Sequence, residues 1–138
     1  MANYKLAFKK VMFEEGCGEW TKDPDDNGGE TFSGIARKFH PNWKGWVIID
    51  VSKKQPNFPA SLKTDPQLPP LVEDFYYAMF WVKLGLDKVS NDQVAIQIFD
   101  TAVNMGICAA IKFAQQAMGI PETGIYDDLY VNSLNSIV

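Results

Sequence analysis

Hydrophobic side chains recur at helical spacing along residues 3–15, NYKLAFKKVMFEE. Tyr4, Phe8, Val11 and Met12 share one face, Leu6 and Phe13 widen it, and Lys9 and Lys10 fall elsewhere. The pattern predicts an amphipathic helix, with Gly16 stopping it at the C′ position. From Gly16 to Thr31 the periodicity gives way to turn chemistry: Gly-Cys-Gly, Asp23-Pro24 and Asp26-Asn27-Gly28-Gly29. A β-hairpin or irregular β-turn segment is expected there. Ser33 is then expected to cap a short helix over residues 34–39 that Pro41 ends.

Residues 40–70 contain six of the eight prolines and interrupt regular structure repeatedly. Trp43, Trp46 and Ile48 still want burial, so the stretch reads as an excursion with a short strand or helix at WVIIDV, not as a linker. Helical spacing resumes over residues 71–84, where Leu71, Phe75, Met79 and Val82 lie on one face. Asn91 or Asp92 caps a further helix to about Asn104, and Gly106 ends it. Another helix follows over about 107–118, closed by Gly119 and Pro121, and a last short one near 127–136. The reading is mainly α (α+β): a helical domain with a small β-prone acidic loop near the N-terminus.

The chain has 138 residues, and its 46% hydrophobic content is enough for one compact domain. A formal charge of −4 excludes a sequence-independent nucleic-acid binder, whose affinity would come from cations on phosphates. A neutral polymer such as a glycan stays open, and the 13% aromatic content suits either sugar faces or a core. Cys17 and Cys108 read as free thiols, and the single His40, before Pro41, reads as a loop residue. No CxxC or Cys/His cluster points to a metal, and no cofactor is implied. The sequence shows no signal peptide and no apolar run of membrane-spanning length, so export by another agent is expected.

The acidic stretch carries the candidate chemistry. Breaking a glycosidic bond needs a protonated acid beside the leaving oxygen, and a second group to position water or stabilise the transition state. Glu15 suits the first role. It sits in the last turn of the expected helix, at the negative dipole end and beside Glu14, and helix end, like charge and burial all raise a carboxyl pKa. The bland alternative is that Glu14 and Glu15 are the solvated end of the helix. The second group would come from Asp23, Asp25, Asp26 or Thr31. The sharp turn at 27–29 favours Asp26 in the site with Thr31 holding water, while Pro24 favours Asp23 as loop support. If Asp26 is the base of an inverting reaction, its carboxyl should lie about 6.5–9.5 Å from that of Glu15. Trp20 either lines a sugar subsite or covers the core. Trp81 reads as core, and Asp100 and Asn104, four apart on one helical face, as structural residues that cap or brace a loop. Cys17 is not supported as a nucleophile, because no imidazole is placed beside it.

Glu15-Gly16 followed by DPDDNGGETFSGI resembles the signature of glycoside hydrolase family 108, the N-acetylmuramidase-type lysozymes also called secretion activator proteins. The pattern D-P-x-D-x-G-G-x-T-x-x-G-I is matched at Asp23, Pro24, Asp26, Gly28, Gly29, Thr31, Gly34 and Ile35. The preceding glutamate–glycine–glycine motif is altered, with Cys17 at its second glycine. Asp100, Asn104, Gly106 and Gln115 or Gln116 resemble a C-terminal peptidoglycan-binding segment. The resemblance implies a lysozyme-like fold, with residues 1–90 as catalytic region and residues 91–138 packed on it in a single compact domain. It implies Glu15 as catalytic acid; the reading of the residues themselves adds Asp26 and Thr31 to the catalytic set and expects Trp20 and Asp23 to touch substrate. The substrate would be peptidoglycan glycan strands, met by a monomer at the cell wall or periplasm, with a holin or secretion machinery as possible partner. The alternative is a wall-binding or secretion-accessory protein that kept the fold without the activity.

Overall fold

The computed structural model describes residues 1–14, 18–22 and 29–137. Within them run α1 (Tyr4–Glu14), β1 (Trp20–Lys22), β2 (Glu30–Phe32), β3 (Ile35–Ala36), α2 (Gly45–Ser52), α3 (Leu68–Tyr76), α4 (Asp92–Met105), α5 (Ile107–Ala117) and α6 (Asp128–Asn135). Two 3₁₀ turns, Ala60–Thr64 and Leu86–Lys88, and one π turn, Tyr77–Trp81, complete the order. This is the mainly helical α+β class that the hydrophobic pattern predicts and the lysozyme-like class that the resemblance implies. The chain's contacts gather into two units, Met12–Phe75 and Met1–Val11 with Tyr76–Val138.

The first unit carries the antiparallel sheet β1-β2-β3. Its register pairs Trp20 with Phe32, Thr21 with Thr31, Lys22 with Glu30, and Phe32 with Ile35. Only Ser33 and Gly34 separate β2 from β3, at φ 49° and 80°. Two consecutive left-handed residues are what a tight two-residue hairpin turn needs. The expected helix over 34–39, capped by Ser33, is therefore not formed. Ser33 is fully buried, its N–H donates to the Glu19 carbonyl (2.9 Å), and its Oγ accepts the Gly18 N–H (2.7 Å). Phe32 and Ile35 turn the same face inward and fix the strand alternative.

WVIIDV resolves as helix α2. Trp43 lays its ring over Gly45, where a Cβ would come within 2.2 Å of the indole, so the helix begins on the one residue that leaves room. Trp46, Ile49, Leu62, Leu68 and Val72 join Phe32 and Ile35 as the core of this unit. Helix α3 starts at Leu68, three residues before the expected start, with Pro69 and Pro70 in its first turn. Prolines are tolerated there because the first N–H groups of a helix have no intrahelical acceptor.

In the second unit α4 and α6 begin at side-chain caps. Asn91 Oδ1 accepts from Val94 N–H (3.1 Å), and Asp127 Oδ1 accepts from Tyr130 N–H (2.9 Å). Trp81 is fully buried against Tyr4 and Phe99, with ring centroids 5.2 and 5.6 Å away, and its Nε1 donates to Asp87 (2.9 Å). Asn104 donates to the Asp100 carbonyl and carboxylate (2.9 and 3.2 Å), so the two brace the end of α4 and not a loop. Buried Gln115 donates to Thr123 Oγ1 (3.0 Å) and accepts the Gly124 N–H (2.9 Å), tying α5 to the chain before α6.

Candidate functional site

Two adjoining cavities open in the unit Met12–Phe75, and Gly18 and Lys63 line both. The first, of about 240 Å³, has an apolar wall of Phe32, Leu62, Leu68, Pro69 and Val72, with Ser33 also on its surface. The second, of about 380 Å³, is walled by Trp20, Pro59 and Ala60, with Glu19 and Thr21 at its polar side. Gly18, at φ 86°, lets the chain turn into β1, and the stem of Lys63 lies over it: a Cβ there would sit 3.9 Å from Lys63 Cγ.

The indole of Trp20 is fixed from several sides. Its Nε1 donates to Glu30 Oε2 (2.9 Å), its ring meets Phe58 edge-on at 4.8 Å, and the Lys53 ammonium lies 6.0 Å from the ring centroid. A partly exposed tryptophan held in this way presents a rigid apolar wall to the cavity.

Glu30 is the acid that the motif alone leaves unassigned. It alternates with Thr31 along β2 and points inward with Phe32, only 6% exposed. Such burial needs partners. Arg37 Nη1 lies 2.6 Å from Oε1 and Lys53 Nζ 2.8 Å from Oε2, while Arg37 also grips both oxygens of Asp50 (2.7 and 2.8 Å). Burial pushes the Glu30 pKa up, but donation from Lys53, Trp20 and Arg37 outweighs it and holds the carboxyl below its usual range. Hydrogen bonding from Arg37 takes Asp50 down to about 2, and the Arg37 pKa is raised in return. Two anions and two cations cancel. Glu30 therefore stays ionised and serves as a brace, since a carboxyl with a lowered pKa makes a poor proton donor near neutrality.

Of the residues singled out in the sequence, Trp20 lies in the second cavity's wall. Thr31 is half-buried, opposite Thr21 and Ala36 on the sheet face away from Phe32 and Glu30, so Trp20 and Thr31 look to opposite sides. Glu15, Asp23, Asp25 and Asp26, together with Gly16 and Cys17, lie outside the described residues, as does the expected Glu15–Asp26 separation. Among the described residues no three His, Cys, Asp or Glu side chains converge as a metal site would require, and no helix is long and apolar enough to cross a membrane. Sequence reading missed Glu30 and its partners, although a carboxylate alternating with Phe32 in a short strand was the available signal. It also missed Lys63, which nothing in the local sequence distinguishes from the chain's other lysines.

Comparison with known proteins adds the following. The family model described as Glycosyl hydrolase 108 matches residues 8–106. The solved structure of Brucella abortus SagA is similar over 98% of this chain and 70% of that one, with a TM-score of 0.65 and 21% sequence identity, a likeness of fold. No curated protein matches.

Proposed function

Since the chain belongs to the Glycosyl hydrolase 108 family, we propose that it is a peptidoglycan hydrolase of the muramidase type, cutting the glycan strand by general acid catalysis. Glu15 donates its proton to the glycosidic oxygen as the bond to the anomeric carbon breaks. A water adds to that carbon from the other face and gives its proton to the Asp26 carboxylate, with Thr31 holding the water. Asp23 supports the loop and contacts substrate, and Trp20 offers an apolar face to a sugar ring. Residues 91–138 add a wall-binding-like segment, and release to the wall depends on a holin or on secretion machinery.

The observation that carries the reading is the fixed indole of Trp20 walling a cavity that begins at Gly18, three residues after Glu15 in the chain. Clefts of this kind, apolar with a few convergent polar groups, are where small ligands bind. Purified cell walls provide the test. The protein should clear a wall suspension and release fragments ending in reducing N-acetylmuramic acid. Fragments ending in reducing N-acetylglucosamine would move the cut to the other linkage. Binding to walls with no clearing would make this a wall-binding protein, the outcome that the Cys17 substitution in the glutamate motif favours.

A further inference from the structure

We propose that the smaller of the two cavities is a subsite for the lactyl side arm of muramic acid and the peptide it carries, with Lys63 reading a carboxylate on that arm. The inference deepens the peptidoglycan reading above and rests on it.

The smaller cavity joins two chemistries. Five apolar side chains, Phe32, Leu62, Leu68, Pro69 and Val72, give it a wall that favours methyl groups. Its one hydroxyl, on Ser33, already accepts the Gly18 N–H. Among the described residues that line it, Lys63 is the one ionisable side chain and none is acidic. Glu19 belongs to the larger cavity alone, so an anion is better placed on the apolar side of Lys63 than on the Trp20 side.

Arg37 and Lys53 are neutralised by Glu30 and Asp50, whereas Lys63 makes no ion pair among the described residues. In a chain of net charge −4, an ammonium with no ion pair among the described residues, beside an apolar slot, suits a short apolar group ending in a carboxylate.

Size gives the remaining constraint. At about 240 Å³ the slot falls below the roughly 300–1,000 Å³ typical of pockets for drug-sized ligands, while the neighbouring 380 Å³ cavity lies within that range. The matching ligand has a neutral sugar ring on Trp20, a methyl-bearing branch in the slot and a carboxylate within reach of Lys63. N-acetylglucosamine has no such branch. Muramic acid has one in its lactyl ether, which an alanine then extends, and acidic groups lie on the lactyl unit when bare or on the attached peptide.

Calorimetric titration of two disaccharides tests this. One is N-acetylglucosaminyl-N-acetylmuramyl-L-alanyl-D-glutamate, which carries branch and carboxylates; the other is N,N′-diacetylchitobiose, which carries neither. The wild-type protein should bind the first about tenfold more tightly, the gain expected of one charge-assisted contact. Lys63→Gln should abolish that preference and Lys63→Arg should keep it. A third probe, the same muramyl disaccharide without peptide, carries its carboxylate on the bare lactyl group: a Lys63-dependent preference for it as well shows that the slot reads either acid, and no preference shows that the peptide carboxylate is required. Equal affinities in the wild type, no binding of either main probe, or a preference that survives Lys63→Gln would overturn the subsite. Wall clearing is scored separately. Clearing without a Lys63-dependent preference leaves the hydrolase and removes the subsite, and a Lys63-dependent preference without clearing does the reverse.

Discussion

Replacing Glu30 by glutamine keeps the side chain's size and removes one charge from the network that holds Trp20. Glu30 is 6% exposed and takes contacts from Arg37 at 2.6 Å, Lys53 at 2.8 Å and Trp20 at 2.9 Å. Removing one partner of a fully buried ion pair costs about 3–5 kcal/mol, because the other charge is left uncompensated. Two features lower the figure here. The Arg37 and Lys53 side chains are 32% and 35% exposed, so water screens part of the loss, and Asp50 remains 2.7 and 3.4 Å from them. The amide oxygen can still accept one hydrogen bond. About 2 kcal/mol is therefore expected, or roughly 7 °C in melting temperature for a chain of this length. Thermal and urea unfolding at pH 7 measure it. The exposed end of the same network gives the contrast: Asp50 is 45% exposed, and Asp50→Asn should cost less than about 1 kcal/mol. The pH dependence has a fixed sign. A carboxyl with a folded pKa below its usual 4.5 contributes stability that is full above 4.5 and is lost as pH falls through the lower folded value. The gap between wild type and Glu30→Gln should thus hold from pH 7 to about 5 and close on further acidification. A gap under about 0.5 kcal/mol at pH 7, or Asp50→Asn costing more than Glu30→Gln, would refute the assignment of Glu30 as the buried centre of the network.

Trp20→Ala should raise the wall concentration needed for half-maximal clearing, and Trp20→Phe, which keeps a ring but loses the N–H to Glu30, should fall between it and wild type; three identical clearing curves would remove Trp20 from the site. Gly85→Ala should destabilise more than Gly119→Ala in urea unfolding. Both glycines have φ near 70°, each worth about 1–2 kcal/mol against alanine, but only at Gly85 would a Cβ meet a ring, that of Tyr126 at 2.7 Å. Equal losses would show that Tyr126 yields freely. Asn91→Ala should cost about 1 kcal/mol through the lost bond to the Val94 N–H, and Asn91→Asp should retain most of it.

Helices were legible wherever an apolar stripe and a cap coincided. Tyr4, Phe8, Val11 and Met12 mark α1, and Asn91 starts α4 as its side chain predicts. The turn at Ser33-Gly34 was misread because serine before an amphipathic run normally signals a cap, whereas here the tight pairing of Phe32 with Ile35 imposes left-handed backbone on Ser33. Pro69 and Pro70 delayed the expected start of α3, since a sequence does not say whether a proline stands before a helix or in its first turn. In the candidate site, Trp20 could be named from its place after the acidic stretch, whereas Thr31, named from the motif, lies on the other face of the sheet. Glu30, Arg37, Asp50 and Lys53 could not, because the strand β2 and the helix α2 are joined only by folding, and a charge in sequence does not reveal its partner. Lys63 and the apolar slot behind it depend likewise on residues from β2, the Ala60–Thr64 turn and α3.

The proposed chemistry turns on the proton carried by Glu15. Release of reducing muramic acid ends from purified walls, followed for the wild type and for Glu15→Gln with matched melting temperatures, tests it most directly. A general acid contributes about 10²–10⁴-fold, so the variant should release ends at least a hundredfold more slowly, while Glu14→Gln retains most of the wild-type rate. Equal rates for the wild type and Glu15→Gln would contradict the mechanism.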